Sequence, residues 1–297
     1  MAFIQRQLSI SFGLNSGTFA ATGSAGATFS GLRISAKVVV TGSMSSGGQL
    51  QAAVFGLTLA EMNELTTLGM GIQQYFDNSV TLQATDDRGT STVFTGNVTA
   101  CWPDMSASPE VCLQVMANIG NAAAGMPIPP TSYAGSTDVA TILQGLAKQG
   151  GFEFENSGVN VKLKNPYYSG TLRQQIKECI HDAGCYGTID AHNTLTIVPR
   201  NGTRSTGSVS ISPQTGMVGY PVPTFQGVIV QAIYQPDARP NGKLTVSGSQ
   251  LTPANGVFQI NSVTHDLESQ MPRGKWFTTL QAAGNLTNAG LATETTS

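Results

Sequence analysis

A short segment that occurs twice limits this chain more than any other feature. Val93-Phe94-Thr95-Gly96-Asn97-Val98-Thr99 returns near the C-terminus as Val257-Phe258-Gln259-Ile260-Asn261-Ser262-Val263-Thr264. Each copy leads on to a second apolar stretch, Leu113-Gln114-Val115 in one case and Leu280-Gln281-Ala282 in the other. Each also follows a strand-like run, residues 80–84 and 244–246. The spacing differs by a single residue, which a β-bulge absorbs. Two similar β-modules around a different middle segment present one surface twice, an architectural task more than a catalytic one. Hairpins rich in Val, Thr and Phe also resemble one another by composition alone, and that reading competes with duplication.

Composition agrees with a part of an assembly. The chain of 297 residues is long enough for about two domains with a proper core. Charged residues make up 11% of it, against roughly 25% in an ordinary soluble domain. Its net charge is -2 with Lys and Arg scattered, which argues against a nucleic-acid groove, since that needs a clustered basic face. A surface of Ser, Thr, Gly and Gln suits large permanent interfaces, because hydroxyls cost less to desolvate than ions. A secreted β-protein with a polar, uncharged skin is the alternative. Met1-Ala2-Phe3-Ile4-Gln5-Arg6-Gln7 lacks the basic start and apolar core of a signal peptide. No apolar run reaches the roughly eighteen residues a membrane span needs. Synthesis and first assembly in a cytoplasm are expected.

Periodicity then sorts the elements. Leu8, Ile10, Phe12 and Leu14 alternate as a strand, residues 15–30 read as a long Gly/Ser/Thr/Ala loop, and residues 29–40 resume a β pattern. Residues 42–48 form a turn and residues 49–57 the returning strand. Thr58 with Glu61 is a capping box for a helix over residues 58–68. Residues 80–84 and 92–100 are strands around the turn at Asp86-Asp87-Arg88-Gly89. Ser108-Pro109 could open a helix, but Val111, Leu113, Val115 and Ala117 alternate, so a strand is expected there. Residues 118–133, with Pro127, Pro129 and Pro130, read as a linker.

The middle has another character. Val139, Ile142, Leu143, Leu146 and Ala147 mark a helix opened near Ser136 or Thr137 and ended by Gly150-Gly151. Residues 152–154 and 159–163 are expected to pair as a hairpin around Asn156-Ser157-Gly158. A second helix carries Leu172, Ile176, Cys179 and Ile180 on one face and ends at Gly184. Residues 186–189 and 194–198 pair around residues 190–193. The order αββαββ is a compact α+β insert, which residues 199–207 link to the second β-module. The fold class read from the sequence is mainly β with an α+β insert: two similar β-barrel modules flanking an αββαββ middle domain. Its expected divisions are 1–125, 126–200, 201–285 and a flexible tail at 286–297.

Chemistry-bearing residues are few. Cys101, Cys112, Cys179 and Cys185 include no C-x-x-C pair. Cys179-x-His181-x-x-x-Cys185 lacks a second ligand pair of zinc spacing, and Cys112 and Cys179 sit at apolar positions of their patterns, as small buried hydrophobes do. His181-Asp182 and His265-Asp266 are neighbours in sequence and do not readily face one another; His265 reads as a structural hydrogen-bonder. Glu153 and Glu155 share a strand face in the manner of a glycosidase pair, with no aromatic sugar platform beside them. Gly23-Ser24-Ala25-Gly26-Ala27 is loop glycine, since no Lys-Ser/Thr follows. No catalytic, cofactor-binding or metal-ligating residue is therefore assigned.

The C-terminal third carries a resemblance. Thr215-Gly216-Met217-Val218-Gly219-Tyr220-Pro221, the strand over residues 228–232 and Arg239-Pro240-Asn241-Gly242-Lys243-Leu244 occur in that order. Gly256-Val257-Phe258, Val263-Thr264-His265-Asp266-Leu267 and Gly274-Lys275-Trp276-Phe277-Thr278-Thr279 come next. Together they resemble the baseplate hub proteins of contractile-tailed phages, the late control protein D group, and the base of type VI secretion spikes. Asn63-Glu64-Leu65-Thr66, Phe94-Thr95-Gly96 and the αββαββ insert agree in order, more weakly; the Gly/Ser/Ala stretch before Phe29 departs from the pattern. The resemblance implies a non-enzymatic homotrimer in the virion tail baseplate, assembled in the host cytoplasm. Its two β-barrels per chain would alternate in a ring, so that three chains imitate six subunits. A sixfold tail tube would then sit on one face and a threefold central spike on the other, with the insert making the threefold face. Tail tube protein, central spike protein, tape-measure protein and other baseplate proteins are the implied partners; neither a membrane nor a specific nucleic-acid sequence is. Two alternatives compete with it: a tail-associated peptidoglycan hydrolase using Glu153 or Glu155, and a glycan-binding β-protein using Trp102, Trp276 and surface tyrosines.

Overall fold

Alternating apolar residues become strands with one buried face. The computed structural model describes residues 6–44, 47–67, 78–200 and 202–285. In β1 (Gln7–Gly13) the buried set is Leu8, Ile10 and Phe12; in β3 (Ile34–Thr41) it is Ile34, Ala36, Val38 and Val40. Between them β2 (Gly26–Ser30) pairs antiparallel with β1. This corrects the expectation of a loop over residues 15–30 and a single strand over 29–40. Gly31, at φ 70°, breaks that run: β2 goes to the sheet edge and β3 to its centre. β4 (Gly48–Phe55) returns beside β3. Helix α1 (Leu59–Leu65) opens on the expected box, with Thr58 Oγ1 accepting the Glu61 N–H at 3.3 Å and the Glu61 carboxylate accepting the Thr58 N–H at 2.8 Å. Leu68, the expected end, lies outside the described residues.

β5 (Ser79–Asp86), β6 (Gly89–Asp104) and β7 (Cys112–Asn118) form a meander, so the stretch after Ser108-Pro109 is a strand as its alternation required. β6 changes partners along its length, pairing with β5 up to Asn97 and with β7 from Asn97 onward. Gly96 sits at the change-over, where a Cβ would lie 2.6 Å from the Asn118 carbonyl oxygen.

The expected linker over residues 118–133 has structure of its own: a short helix α2 (Asn121–Gly125) and the two-residue strand β8 (Thr131–Ser132). β9 (Ser136–Asp138) leads into α3 (Val139–Gln149), whose cap is Asp138, its Oδ1 accepting the Ala140 N–H at 2.8 Å; Ser136 and Thr137 are not the cap. The hairpin expected across Asn156-Ser157-Gly158 does not form. Asn156 Oδ1 accepts the N–H groups of Gly158 and Val159 at 3.1 and 2.8 Å, and this turn sends the chain away. β10 (Glu153–Asn156) pairs instead in parallel with β14 (Thr194–Val198), and β11 (Lys162–Lys164) pairs with β9. β12 (Tyr167–Tyr168) pairs with β8, α4 (Leu172–Asp182) follows with a Thr171–Gln174 capping box, and β13 (Tyr186–Ile189) makes the expected hairpin with β14. The order αββαββ is kept, with three extra short strands and different pairing.

β15 (Val209–Ile211), β16 (Val222–Pro223), β17 (Gly227–Ile233), β18 (Lys243–Val246), β19 (Gly256–Ser269) and β20 (Trp276–Asn285) join β1 to β7 in one 13-stranded sheet. The path runs β16-β17-β20-β19-β3-β4-β7-β6-β5-β1-β2, with β18 on β19 and β15 on β18. The order β3-β4-β7-β6-β5-β1 of the first half thus recurs as β16-β17-β20-β19-β18-β15. The halves differ in β2, which has no counterpart, and in direction, since β1 is antiparallel to β5 while β15 is parallel to β18. Phe94 lies opposite Leu82, and Phe258 opposite Leu244. The third strands, however, align differently from the sequence match. Val98 faces Ala117 and Val263 faces Leu280, so the counterpart of Leu280 is Ala117 and not Leu113.

Apolar packing makes the first half and the insert one continuous core, while the second half keeps its own around Val230, Leu244, Phe258, Ile260 and Leu280. Phe94 and Phe258 are both buried, one in each core. Truncating either to Ala is expected to cost about 3–5 kcal/mol, as lost burial plus a cavity. Urea unfolding of Phe94→Ala and Phe258→Ala tests this; a loss under about 1 kcal/mol in either would mean that its core is not closed around the ring.

Candidate functional site

Four of the charged side chains in this chain converge. Glu155 on β10 and Asp190 at the start of the β13–β14 turn come from the insert; Arg204 and Arg239 come from the segments that lead into and through the second β set. Arg204 Nε and Nη2 donate to Glu155 Oε2 at 2.9 and 2.7 Å, and its Nη1 donates to Asp190 Oδ2 at 2.7 Å. Arg239 Nη1 adds a bond to the same Asp190 oxygen at 3.2 Å. Asp190 Oδ1 accepts the His192 and Thr194 N–H groups at 2.9 and 3.1 Å. The hydroxyls of Ser157, Ser205 and Thr206 donate to Glu155 Oε1 at 2.9, 3.1 and 3.1 Å. Arg204 and Asp190 are buried while Glu155 and Arg239 are half-buried, so a buried ion pair is flanked by one partner of each sign at its edge, a geometry that fixes orientation more than it adds net stability.

This arrangement decides what Glu155 can do. Burial alone would raise its pKa, but the Arg204 bonds and charge, with Ser157 and Thr206, outweigh it and hold the carboxyl at about 2. A glycosidase general acid needs the opposite shift, toward neutrality. Glu153, two residues earlier, points into solvent. The two carboxylates are therefore not brought together over a cleft.

The other candidates are also placed by packing. His265 lies buried in β19 with its Nδ1 2.9 Å from Thr278 Oγ1 and its ring edge-on to Tyr234. Burial lowers its pKa to about 3, so the ring is neutral. Asp266 stands opposite Lys37 on β3, on the other face of the strand from His265. His181 is exposed at the end of α4, beside Asp182, whose other oxygen receives the Tyr168 hydroxyl at 3.2 Å. All four cysteines are buried free thiols; desolvation pushes Cys101 and Cys179 up to about 12. Among the described residues no group of His, Cys, Asp and Glu is gathered as for a metal. Residues 23–27 lead into β2 and open no helix. Trp276 is 1% exposed and packs edge-on against Tyr234, so it offers no face to a sugar; Trp102 is 39% exposed.

Two features escape a reading of the sequence. The ion cluster is hidden because its members are far apart in the chain, although an Arg in a Gly/Ser/Thr linker of so uncharged a protein is a signal. The second feature is a pair of exposed apolar sets. Tyr220, Val222 and Phe225 around the β16–β17 turn are 63, 57 and 106% exposed. Trp102 on β6 and Met116 on β7 share a face of that hairpin. A surface with apolar anchors and few charges is suited to being covered by other protein.

The sequence model of the family described as Baseplate hub gp41 matches residues 59–282, three quarters of the chain. The chain belongs to the baseplate hub gp41 family. The resemblance to phage baseplate hubs carried by the C-terminal third is thereby established over the insert and over the first half from residue 59 onward. No curated protein matches the sequence. Among solved structures, this hub is similar to a tail protein of Neisseria meningitidis MC58 (8% identity, 94% of this chain and 97% of that one, TM-score 0.60). It is also similar to the 43 kDa tail protein of prophage MuSo2 from Shewanella oneidensis (9% identity, 95% and 98% covered, TM-score 0.60). A third likeness is to prophage tail protein gp18 from Listeria monocytogenes EGD-e (10% identity, 93% and 95% covered, TM-score 0.50). At these identities the likeness is one of fold.

The ion cluster and His265 make the hub acid-labile in a defined way. Glu155 falls from an ordinary value of 4.5 to about 2 on folding, so its contribution is complete above pH 4.5 and lost as pH falls toward 2. His265 falls from 6.5 to about 3; the unfolded chain binds its proton first, so stability also declines between pH 6.5 and 3. Urea midpoints measured from pH 7 to 3 should drop less steeply in His265→Gln than in the wild type, and Glu155→Gln should flatten the curve below pH 4.5. Parallel curves would contradict these placements.

Proposed function

We propose that this chain is the structural hub of a contractile phage baseplate, joining a sixfold tail tube to a threefold central spike as a pseudo-sixfold homotrimer. The observation that carries this reading is the recurrence of one strand order within the chain. Three copies supply six similar β sets, and a ring of six presents equivalent edges to a sixfold tube while the copies themselves keep threefold symmetry. On this reading residues 1–125 and 201–285 are tube-docking modules, each curled toward a barrel, with Phe94 and Phe258 at matching places. Residues 126–200 are the α+β domain that breaks the sixfold pattern and makes the spike face; the tail at 286–297 lies outside the described residues. Tail tube and central spike proteins are the direct partners, with the tape-measure protein and other baseplate proteins around them, in a virion part assembled in the host cytoplasm.

The work is mechanical. A plug that joins tube to spike must hold its modules at fixed angles, and the continuous sheet and the Arg204 cluster support that. No catalytic step is assigned, because Glu155 is saturated by donors and the exposed Glu153 side chain is bonded to none of the described residues. Native mass spectrometry of the full chain at micromolar concentration should show trimers, alone or on addition of tube or spike protein. Glu153→Gln and Glu155→Gln should leave cell-wall suspensions as turbid as the unaltered protein does. A mass that stays monomeric under all three conditions, or clearing of cell walls that either change abolishes, would overturn the proposal.

A further inference from the structure

The β3–β4 turn and the β16–β17 turn hold the same place in the repeated strand order, but the chain treats them differently. The first is covered by the insert: Met44 is buried, and Arg173 of α4 donates to its carbonyl oxygen at 2.7 Å. The second, residues 224–226, leaves Phe225 fully exposed. That turn is nonetheless fixed, with the Thr224 N–H on Gly227 O at 2.8 Å and the Gly284 N–H on Gln226 O at 3.1 Å. Both turns lie at one end of the sheet. Ala283 pairs with Gly227 on one side and Gln259 on the other, and close by the Asn261 carbonyl accepts the Gly42 N–H at 2.8 Å. Between the turns runs a cleft of about 590 Å³, walled by α4 and β13 of the insert and, across from them, by Gln259, Asn261 and Ala283. Asn261 also lines the smaller groove, about 350 Å³, that Phe225 borders, so cleft and aromatic form one surface.

The charge of this surface is one-sided. Lys177 and Arg200 line the cleft and no carboxylate does; among the described residues neither cation has an ionic partner. His181 lines it too, but stands beside Asp182 at 3.5 Å. Glu178, next to Lys177 in α4, projects about 100° away round the helix. In a chain of net charge -2 this is a local excess of positive charge. We propose that the surface from Phe225 to Lys177 and Arg200 is where the central spike docks, with an acidic segment of the spike in the cleft and an apolar patch of it on Phe225. The site rests on the reading that the insert side of the ring faces the spike. The insert covers one of two equivalent turns per chain, so three chains keep three open turns, a threefold set for a threefold partner. Carboxylates from the spike complete Lys177 and Arg200 as charge-assisted hydrogen bonds, and aromatic side chains are enriched at interface centres. A nucleic acid would need a longer basic stripe than two cations supply.

Binding of the full chain to the purified spike protein and, separately, to the tube protein of the same virion tests this. Phe225→Asp, and Lys177→Glu combined with Arg200→Glu, should each weaken spike binding about tenfold or more. Both should leave tube binding and the trimer mass unchanged, as should Tyr167→Asp, an exposed position on the insert outside the cleft. Added salt should weaken spike binding by the unaltered chain and have a smaller effect on the charge-reversed one. Spike binding that is equal in every variant overturns this surface and leaves the hub reading standing. Loss of tube binding or of trimers, with spike binding kept, assigns the surface to the tube or to a second copy and overturns it as well. An unaltered chain that binds tube protein but no spike protein removes the spike side of the proposed function and this site with it. Should the charge-reversed chain fail to fold, Phe225→Asp decides.

Discussion

The ladder between β3 and β19 is the constraint on which the rest of the molecule depends. Eight residues of β3, Ile34 to Thr41, pair with Ser269 to Ser262, and this turns two β sets into one sheet. It needs a strand long enough to serve both halves. β19 is that strand: its first residues carry β18, its last carry β3, and a register shift between Ile260 and Ser262 bends it from one to the other. The bend is pinned by main-chain bonds, with Gly42 N–H on Asn261 O at 2.8 Å, Asn241 N–H on Ile260 O at 2.7 Å and Ile260 N–H on Gly242 O at 2.9 Å. Bonds of this kind fix an angle between modules in a way that apolar contact alone does not.

The insert is held by two kinds of force. Toward the first half it is hydrophobic, sharing a core with it, and it adds the Thr95 N–H bond to Ala191 O at 2.8 Å and the Thr188 hydroxyl bond to Thr41 O at 3.1 Å. Toward the second half it is ionic, through Arg204 and Arg239. Removing Arg204 would leave buried Asp190 with only the half-buried Arg239 as a cation, and removing one partner of a buried pair typically costs about 3–5 kcal/mol. So sparse a set of charges, with several of them spent inside, leaves an outer surface of hydroxyls, amides and a few aromatics. Such a surface suits the proposed burial in an assembly.

Much of this is legible in the sequence because much of it is local. Period-two alternation marks the strands, and the Thr58–Glu61 box places the start of α1 to the residue. The doubled Val-Phe segment points to the repeat, and Phe94 and Phe258 do sit opposite leucines of equivalent strands. What fails is non-local. The Asn156 turn keeps β10 from folding back on residues 159–163, but nothing local names its parallel partner β14, about 40 residues on. Leu113 matches Leu280 in sequence because both are leucines, whereas register is set by neighbouring strands and assigns Ala117. Glu155 looks like half of an acid pair until Arg204, 49 residues on, is seen to occupy it.

The central claim is that one chain supplies two of six similar positions around a tube. A reconstruction of the assembled baseplate, refined with threefold symmetry and again without it, reads this directly. Three copies should appear in one ring, their residues 1–125 and 201–285 alternating at steps of about 60° about the axis, with residues 126–200 displaced to the spike side. A ring of six copies, or three copies whose two β sets sit at different heights or radii, would contradict it.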